Sequence, residues 1–364
     1  MGVSISRHRT FENATGVANP AKIPRSMNTA SRPSRAETPI AFIAAMVRAY
    51  ERRGMDPSNA LRRAQIAPNL LRQTNARVTA LQMEWMSEAA MRELDDEALG
   101  WFSRRLPWGS YGMLVRASLT APNLGVALKR WCRHHNLLTN DICLQVSSAK
   151  GVACIELQER TDLGEMREFC SVSVLRNVLG VACWMSDSRI TLSGADMHFA
   201  PPAHADSYRV LFEGPTRFDA PLSRICFDAG YLALPIRRDE AALQHMLQRA
   251  LLLTVRPYRR DRLLVERVRQ ALAEHPEHGR NAEDLAAWLN LSPRSLHRQL
   301  QEEGASLQQL KDSVRQKKAC ELLLRTPNPL KQIAADVGFS NEKSFIRAFR
   351  LWTGSPPEAF RQQR

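Results

Sequence analysis

The last hundred or so residues contain one pattern twice, and this duplication restricts the possible folds more than any other feature of the chain. The first copy runs Leu285-Ala-Ala-Trp-Leu-Asn-Leu-Ser292 and continues from Pro293 to Leu300. The second runs Ile333-Ala-Ala-Asp-Val-Gly-Phe-Ser340 and continues from Asn341 to Phe349. Up to the turn the copies are 48 residues apart (Leu285 with Ile333, Asn290 with Gly338). After it they are 49 apart (Leu296 with Phe345, Arg298 with Arg347), so the second turn is one residue longer.

Each copy has the physics of two helices joined by a tight turn. The paired alanines sit where two helix backbones must approach closely. Asn290 and Gly338 occupy the turn, where a residue with positive φ ends the first helix; Gly adopts that geometry without strain and Asn tolerates it. Ser292 is placed to cap the second helix with Pro293 at its first position, and Asn341 caps the matching one, with Glu342 favourably set against its dipole. Leu296 and Leu300 are four apart and share a face, as do Phe345 and Phe349. Arg294 and Arg298 lie about 200° round the helix from the Leu pair, and Lys343 and Arg347 hold the matching face, with Arg350 nearby. A helix that packs on one side and presents cations on the other suits a major groove. Solvated cations on ordinary amphipathic helices are the bland alternative, and the repetition of turn, cap, apolar pair and basic face weighs against it. Between the copies Ser306–Leu324 reads as one long helix with Leu307, Leu310, Val314 and Leu323 inward. Such a rigid connector would fix the distance between two readers; neighbouring major-groove faces lie about 34 Å apart.

The net charge of +14 on 364 residues invites a polyanionic partner, but its distribution matters. Residues 1–80 carry 13 Lys and Arg against 4 Asp and Glu, whereas residues 261–364 carry 17 against 13. Bulk charge is thus mostly N-terminal, and the case for DNA rests on where particular side chains point. The longest unbroken apolar run, Ile40–Val47, is 8 residues, against about 20 for a membrane span, so no membrane association is expected. Seven dispersed cysteines without a Cys-x-x-Cys argue against a disulfide scaffold and a zinc ribbon, and point instead to buried reduced thiols. No nucleotide-binding glycine loop or nucleophile elbow is present, and neither a cofactor nor a metal is expected. His134 and His135 point about 100° apart on a helix and suit a shared metal poorly.

Residues 1–36 are rich in Ser, Arg, Asn and Pro without an apolar period, and read as a solvated basic tail. Their acid-poor composition also resembles a transit peptide, but without the amphipathic face. Order is expected from Thr38-Pro39, read as an N-cap followed by proline at the first helical position; Asp56-Pro57 repeats that signal. Helices are predicted over Thr79–Leu94, Pro122–Leu138, Met166–Met185 and Asp239–Thr254. Strands are predicted over Asp141–Ser147, Val152–Gln158, Arg189–Phe199 and Arg224–Phe227. Helices and strands mix without regular alternation, so residues 37–255 are expected to form an α+β effector-sensing or dimerisation domain. Arg256-Pro257-Tyr258-Arg259-Arg260 reads as a linker. Residues 256–364 form an all-α domain with helix-turn-helix motifs over 282–302 and 330–352, joined by the long helix.

The order Ser292-Pro-Arg-Ser-Leu-His-Arg298, connecting helix, Ile333-Ala-x-x-Val-Gly-Phe-Ser340, Phe345-x-Arg-x-Phe-Arg350 and Gly354-Ser-Pro-Pro-Glu-Ala-Phe-Arg361 resembles the AraC/XylS family of transcription regulators. The resemblance spans about 262–362. It implies that Arg294, Ser295, His297 and Arg298 of the first reader, and Glu342, Lys343 and Arg347 of the second, face DNA. Base contacts would come chiefly from Arg294, Arg298 and Arg347. Glu342 departs from the neutral polar side chain usual there, and an acid near phosphate costs affinity unless it accepts from a cytosine amino group. Residues 40–250 resemble, less specifically, the arabinose-binding-like sensor domain of ornithine-utilisation-type regulators. Gly109-Ser-Tyr-Gly112, Ala127-Leu-Lys-Arg-Trp-Cys132 and Tyr208-Arg-Val-Leu-Phe-Glu-Gly-Pro215 carry that resemblance.

The expected function is a cytoplasmic, sequence-specific DNA-binding regulator rather than an enzyme. It would be a homodimer and an activator answering to a small-molecule effector, with RNA polymerase as a partner. Trp108, Tyr111, Trp131 and Tyr208 could line the effector pocket, though as a set they also read as core. One alternative is a ligand-independent regulator whose N-terminal domain only dimerises or contacts RNA polymerase. Another is a DNA-tethered enzyme with an activated Cys132 thiolate beside His135.

Overall fold

The computed structural model describes residues 37–248, 261–275 and 281–362. The basic tail 1–36 and the linker 256–260 lie outside the described residues. Helices α1 (Ile40–Glu51), α2 (Ser58–Arg63) and α3 (Ala80–Glu93) pack together at the N-terminal end, tied by a short antiparallel pair, β1 (Thr38–Pro39) with β2 (Arg77–Val78). That pairing changes one expectation. Thr38 is a strand residue and Pro39 occupies the cap position without a side-chain bond, because the backbone before α1 pairs with β2. Similarly, Pro57 stands at the α2 cap while Asp56 accepts from the Ser58 N–H at 3.0 Å one position earlier. At α3 the expected start holds: Thr79 and Gln82 cap each other reciprocally.

Helices α4 (Ser110–Leu119) and α5 (Leu124–Leu138, capped by Asn123) lead into a five-stranded sheet. Its strands are β3 (Ile142–Ala149), β4 (Val152–Glu159), β5 (Leu192–Asp196), β6 (Thr216–Arg217) and β7 (Ser223–Asp228), in the order β3-β4-β7-β5-β6. The β3–β4 hairpin turns at Lys150-Gly151, both with positive φ. In β7, Ser223, Ile225 and Phe227 are buried while Arg224, Cys226 and Asp228 face the other side, the period-2 pattern of a sheet with one packed face. Against β4 and β7 lies α6 (Arg167–Ser186). Together with the turn before it, the stretch Gly164–Ser186 is long and apolar enough to cross a membrane, but 78% of its apolar 18-residue window is buried inside the protein, as in a core helix. The strand expected over Arg189–Phe199 is confined to β5. Short α7 (Tyr208–Leu211) precedes β6, and α8 (Glu240–Leu247) is the described part of the helix expected over Asp239–Thr254.

Cysteine chemistry differs from the expectation of uniformly reduced thiols. Cys154 and Cys226 stand directly opposite on β4 and β7, with Cα atoms 4.1 Å apart, and form a disulfide across 72 residues. Strand register brings them together, and no Cys spacing encodes it. Cys132, Cys143, Cys170, Cys183 and Cys320 are free.

The remaining described elements are helical: α9 (Leu263–Glu274), α10 (Ala282–Trp288), α11 (Pro293–Glu302), α12 (Leu307–Arg325), α13 (Leu330–Asp336), α14 (Glu342–Thr353) and α15 (Pro357–Arg361). They enclose two small apolar cores. One gathers Val265, Val268, Leu285, Leu296, Leu300 and Leu307; the other gathers Leu323, Ile333, Val337, Phe345 and Phe349. The 19-residue α12 contributes its first half to one core and its second half to the other.

Candidate nucleic-acid interface

The two turns have the predicted backbone. Asn290 has φ 56° and Gly338 φ 83°, each closing the first helix of its pair in the left-handed region. Ser292 accepts from the Ser295 N–H at 3.1 Å, and Asn341 from the Ser344 N–H at 2.8 Å, so both second helices start on a side-chain cap. Beneath them Leu296, Phe345 and Phe349 are fully buried and Leu300 is 1% exposed. Burying side chains of this size contributes about 1.5–3 kcal/mol each, enough to fix which face of α11 and α14 turns inward.

That inward face decides the outward one. Arg294, His297 and Arg298 of α11 are exposed and Ser295 is half-buried; on α14, Lys343 and Arg347 are exposed and Glu342 is half-buried. Arg298 lies 3.9 Å from Glu302, an exposed pair worth little in water. Arg294, Lys343, Arg347 and Arg350 form no ion pair among the described residues, so their charges are available to phosphate. The sequence did not single out Arg315. From α12 it donates to the Gly338 carbonyl at 3.4 Å and stacks 5.2 Å from the Phe339 ring, bracing the second turn against the connecting helix. At about 1.5 Å per residue, α12 is about 28 Å long, comparable with the spacing of successive major-groove faces.

The N-terminal region holds a cavity of about 240 Å³. Its walls are mainly apolar, with Phe42, Trp101, Phe169, Leu192 and Phe212, and Ser173, Arg176, Glu84 and Glu97 add polar groups. Desolvation lowers the Arg176 guanidinium to about 10. Glu97 is engaged at the start of α4, accepting from the Gly109 and Tyr111 N–H groups at 2.7 Å each; burial nevertheless holds its carboxyl above the ordinary range.

None of the four expected pocket aromatics lines this cavity. Trp108 is exposed beneath Arg92, at 4.5 Å. Tyr111 and Trp131 stack with centroids 6.0 Å apart, and Tyr208 is buried with its hydroxyl donating to Glu168 at 2.7 Å. Their helix faces turn toward the packed interior rather than the cavity. Burial pushes the Cys132 thiol up to about 12, which opposes the thiolate that a tethered enzyme would need.

Duplicated helix-turn-helix units with outward cations, carried behind an α+β domain with an apolar cavity, define a DNA-binding transcription regulator with a ligand-binding-like domain. The chain belongs to the AraC family. Residues 54–236 match the arabinose-binding domain of AraC transcription regulators, and residues 285–363 match a helix-turn-helix domain. The chain is 28% identical to the ornithine utilization regulator of Pseudomonas aeruginosa over 328 residues, covering 89% of this chain and 96% of that one. It is 25% identical to the regulator VirS of Mycobacterium tuberculosis, covering 85% and 91%. Among solved structures, the C-terminal domain of AraT, a response regulator from Geobacillus stearothermophilus, is 37% identical, with 28% of this chain and 85% of that chain covered and a TM-score of 0.26.

Proposed function

We propose that this regulator recognises a specific duplex site with α11 and α14, and that a small molecule in the N-terminal cavity sets its affinity for that site. Arg294, Ser295, His297 and Arg298 enter one major-groove face; Glu342, Lys343 and Arg347 enter another, with base contacts chiefly from Arg294, Arg298 and Arg347. The output is activation at a promoter through RNA polymerase, by a cytoplasmic homodimer whose sensing unit lies within 37–255 and whose reading unit lies within 256–364. The supporting observation is the recurrence of one arrangement, in which left-handed turn, side-chain cap, buried apolar pair and exposed cations coincide in both copies. The cavity favours sensing over a domain that only dimerises.

Selection of bound fragments from random duplex DNA tests the reading. The full-length chain should enrich one sequence, and affinity should fall with salt as phosphate contacts are screened. Arg298→Ala should cost about 1–3 kcal/mol on the enriched site, or roughly 5- to 150-fold, and relax the preference at one position. Equal loss on selected and random DNA would reduce Arg298 to a phosphate anchor.

A further inference from the structure

The wall of the cavity and the end of the first reading helix meet at one side chain. Val172, Ser173 and Arg176 of α6 line the cavity. Fourteen residues beyond Ser173, α6 ends at Asp187, in the left-handed region with φ 52°. Two arginines close on that end. Arg238 donates to Asp187 Oδ1 at 2.6 Å and to the Trp184 carbonyl at 2.9 Å. Arg262 donates its backbone N–H to Ser188 Oγ at 2.9 Å, Nε to the Asp187 carbonyl at 2.8 Å and Nη2 to Asp187 Oδ2 at 2.5 Å. Its Nη1 reaches the carbonyl of Glu303, the residue that ends α11, at 3.4 Å. The Glu303 carboxylate in turn accepts from the Val265 N–H at 2.9 Å, in the first turn of α9.

We propose that Arg262 is a positioning joint that makes the seating of α11 depend on the position of the cavity wall. This rests on the reading of the cavity as a small-molecule site. The rod between the two ends is stiff: α6 is buried over most of its circumference, and Ser173 to Asp187 spans about 21 Å of helix. A displacement at the wall therefore reaches Asp187 instead of dissipating. Guanidinium is a planar fork with fixed donor directions, so it cannot follow Asp187 without changing its angle to the Glu303 carbonyl. Carbonyls at a helix end lack an intrahelical partner, and this one is held from outside the helix. Two other contacts provide the pivot. Tyr231 donates to Asp261 at 2.6 Å and Arg267 to Asp228 at 2.5 Å, tying the start of α9 to β7 and the turn after it. Because coupling is reciprocal, a DNA site that reseats α11 also changes the cavity's affinity for its ligand.

Amide hydrogen exchange on the full-length chain, without ligand or DNA, tests the joint. Ser173→Phe narrows the cavity from the α6 side. It should change protection of residues 293–303 by about fivefold or more, the lower end of ordinary coupling. In an Arg262→Gln background the same substitution should change that protection by less than about twofold. Arg262→Lys keeps the charge but not the fork, and should also be uncoupled. The quantity read is the difference between backgrounds, which a purely stabilising Arg262 would not alter. An identical Ser173→Phe effect with and without Arg262 would overturn the proposal. So would a change confined to residues 169–183, or coupling that survives in the lysine variant. If Ser173→Phe lowers the helix content of the chain, Ser173→Met repeats the test with a smaller intrusion. A chain that still enriches one DNA sequence but shows no coupling removes the joint and leaves the functional reading standing.

Discussion

Glu303 offers a sharp test of the packing between α9 and α11. The residue is 8% exposed, and its carboxyl accepts the Val265 N–H at 2.9 Å. Desolvation pushes it up to about 7 from 4.5, outweighing the backbone hydrogen bonds and Arg262, which pull it down; Asp261 adds to the rise. The folded protein therefore holds this proton more tightly than the unfolded chain. Between pH 4.5 and 7 the unfolded state releases it first, so stability falls as pH rises through that window and is level above it. The full difference corresponds to about 3 kcal/mol. The carboxylate sits at the edge of a small core, so the expected loss is about 1–3 kcal/mol. Glu303→Gln keeps an acceptor for the Val265 N–H and removes the titration. The variant should match the parent at pH 4, below the unfolded value, and exceed it by about 1–3 kcal/mol at pH 8. Exchange protection of α9 and α11, corrected for intrinsic exchange and compared between variant and parent at each pH, isolates this group from other carboxyls. A variant less protected than the parent at pH 8, or a difference independent of pH, would refute the reasoning.

Other outcomes follow from the same geometry. Phe345→Ala empties the centre of the second small core and should cost about 3–5 kcal/mol, unprotecting α13 and α14 while α11 stays protected; uniform loss over both pairs would contradict separate cores. His135 is fully buried against Tyr111 and Phe102, and desolvation lowers it to about 4. Stability is complete above pH 6.5 and falls as pH drops toward 4, so His135→Phe should retain about 2–3 kcal/mol more than the parent at pH 4, read by denaturant unfolding. Alkylation of the denatured chain without reductant should modify five cysteines, with Cys154 and Cys226 labelled only after reduction.

The reading helices were legible because each local rule agreed with its neighbours. Cap, turn residue, apolar pair and cationic face all lie within about ten residues, so periodicity alone places them. The N-terminal region depended on longer range. Thr38 had the chemistry of a cap, but β2, forty residues away, claims its backbone. The aromatics were visible as a composition, yet spacing does not tell which of them share a wall, and the cavity gathers Phe42, Phe169 and Phe212 from separate elements. The Asp187–Arg262 contact joins residues 75 apart in sequence through the end of α6 and the start of α9; no pattern within either helix announces it. The disulfide was hidden for the same reason, since it follows from strand register.

One rod threads both small cores, and if α11 and α14 both seat on DNA as proposed, this shapes how the protein would let go of it. Because α12 is shared, neither recognition element can wander from its mate, yet each has its own apolar seat and can loosen separately. Detachment can then proceed one foothold at a time, with the partner still anchored and recapture favoured over escape. A target bearing only half of the preferred sequence would be sampled briefly and released, while a complete one would be held by repeated rebinding.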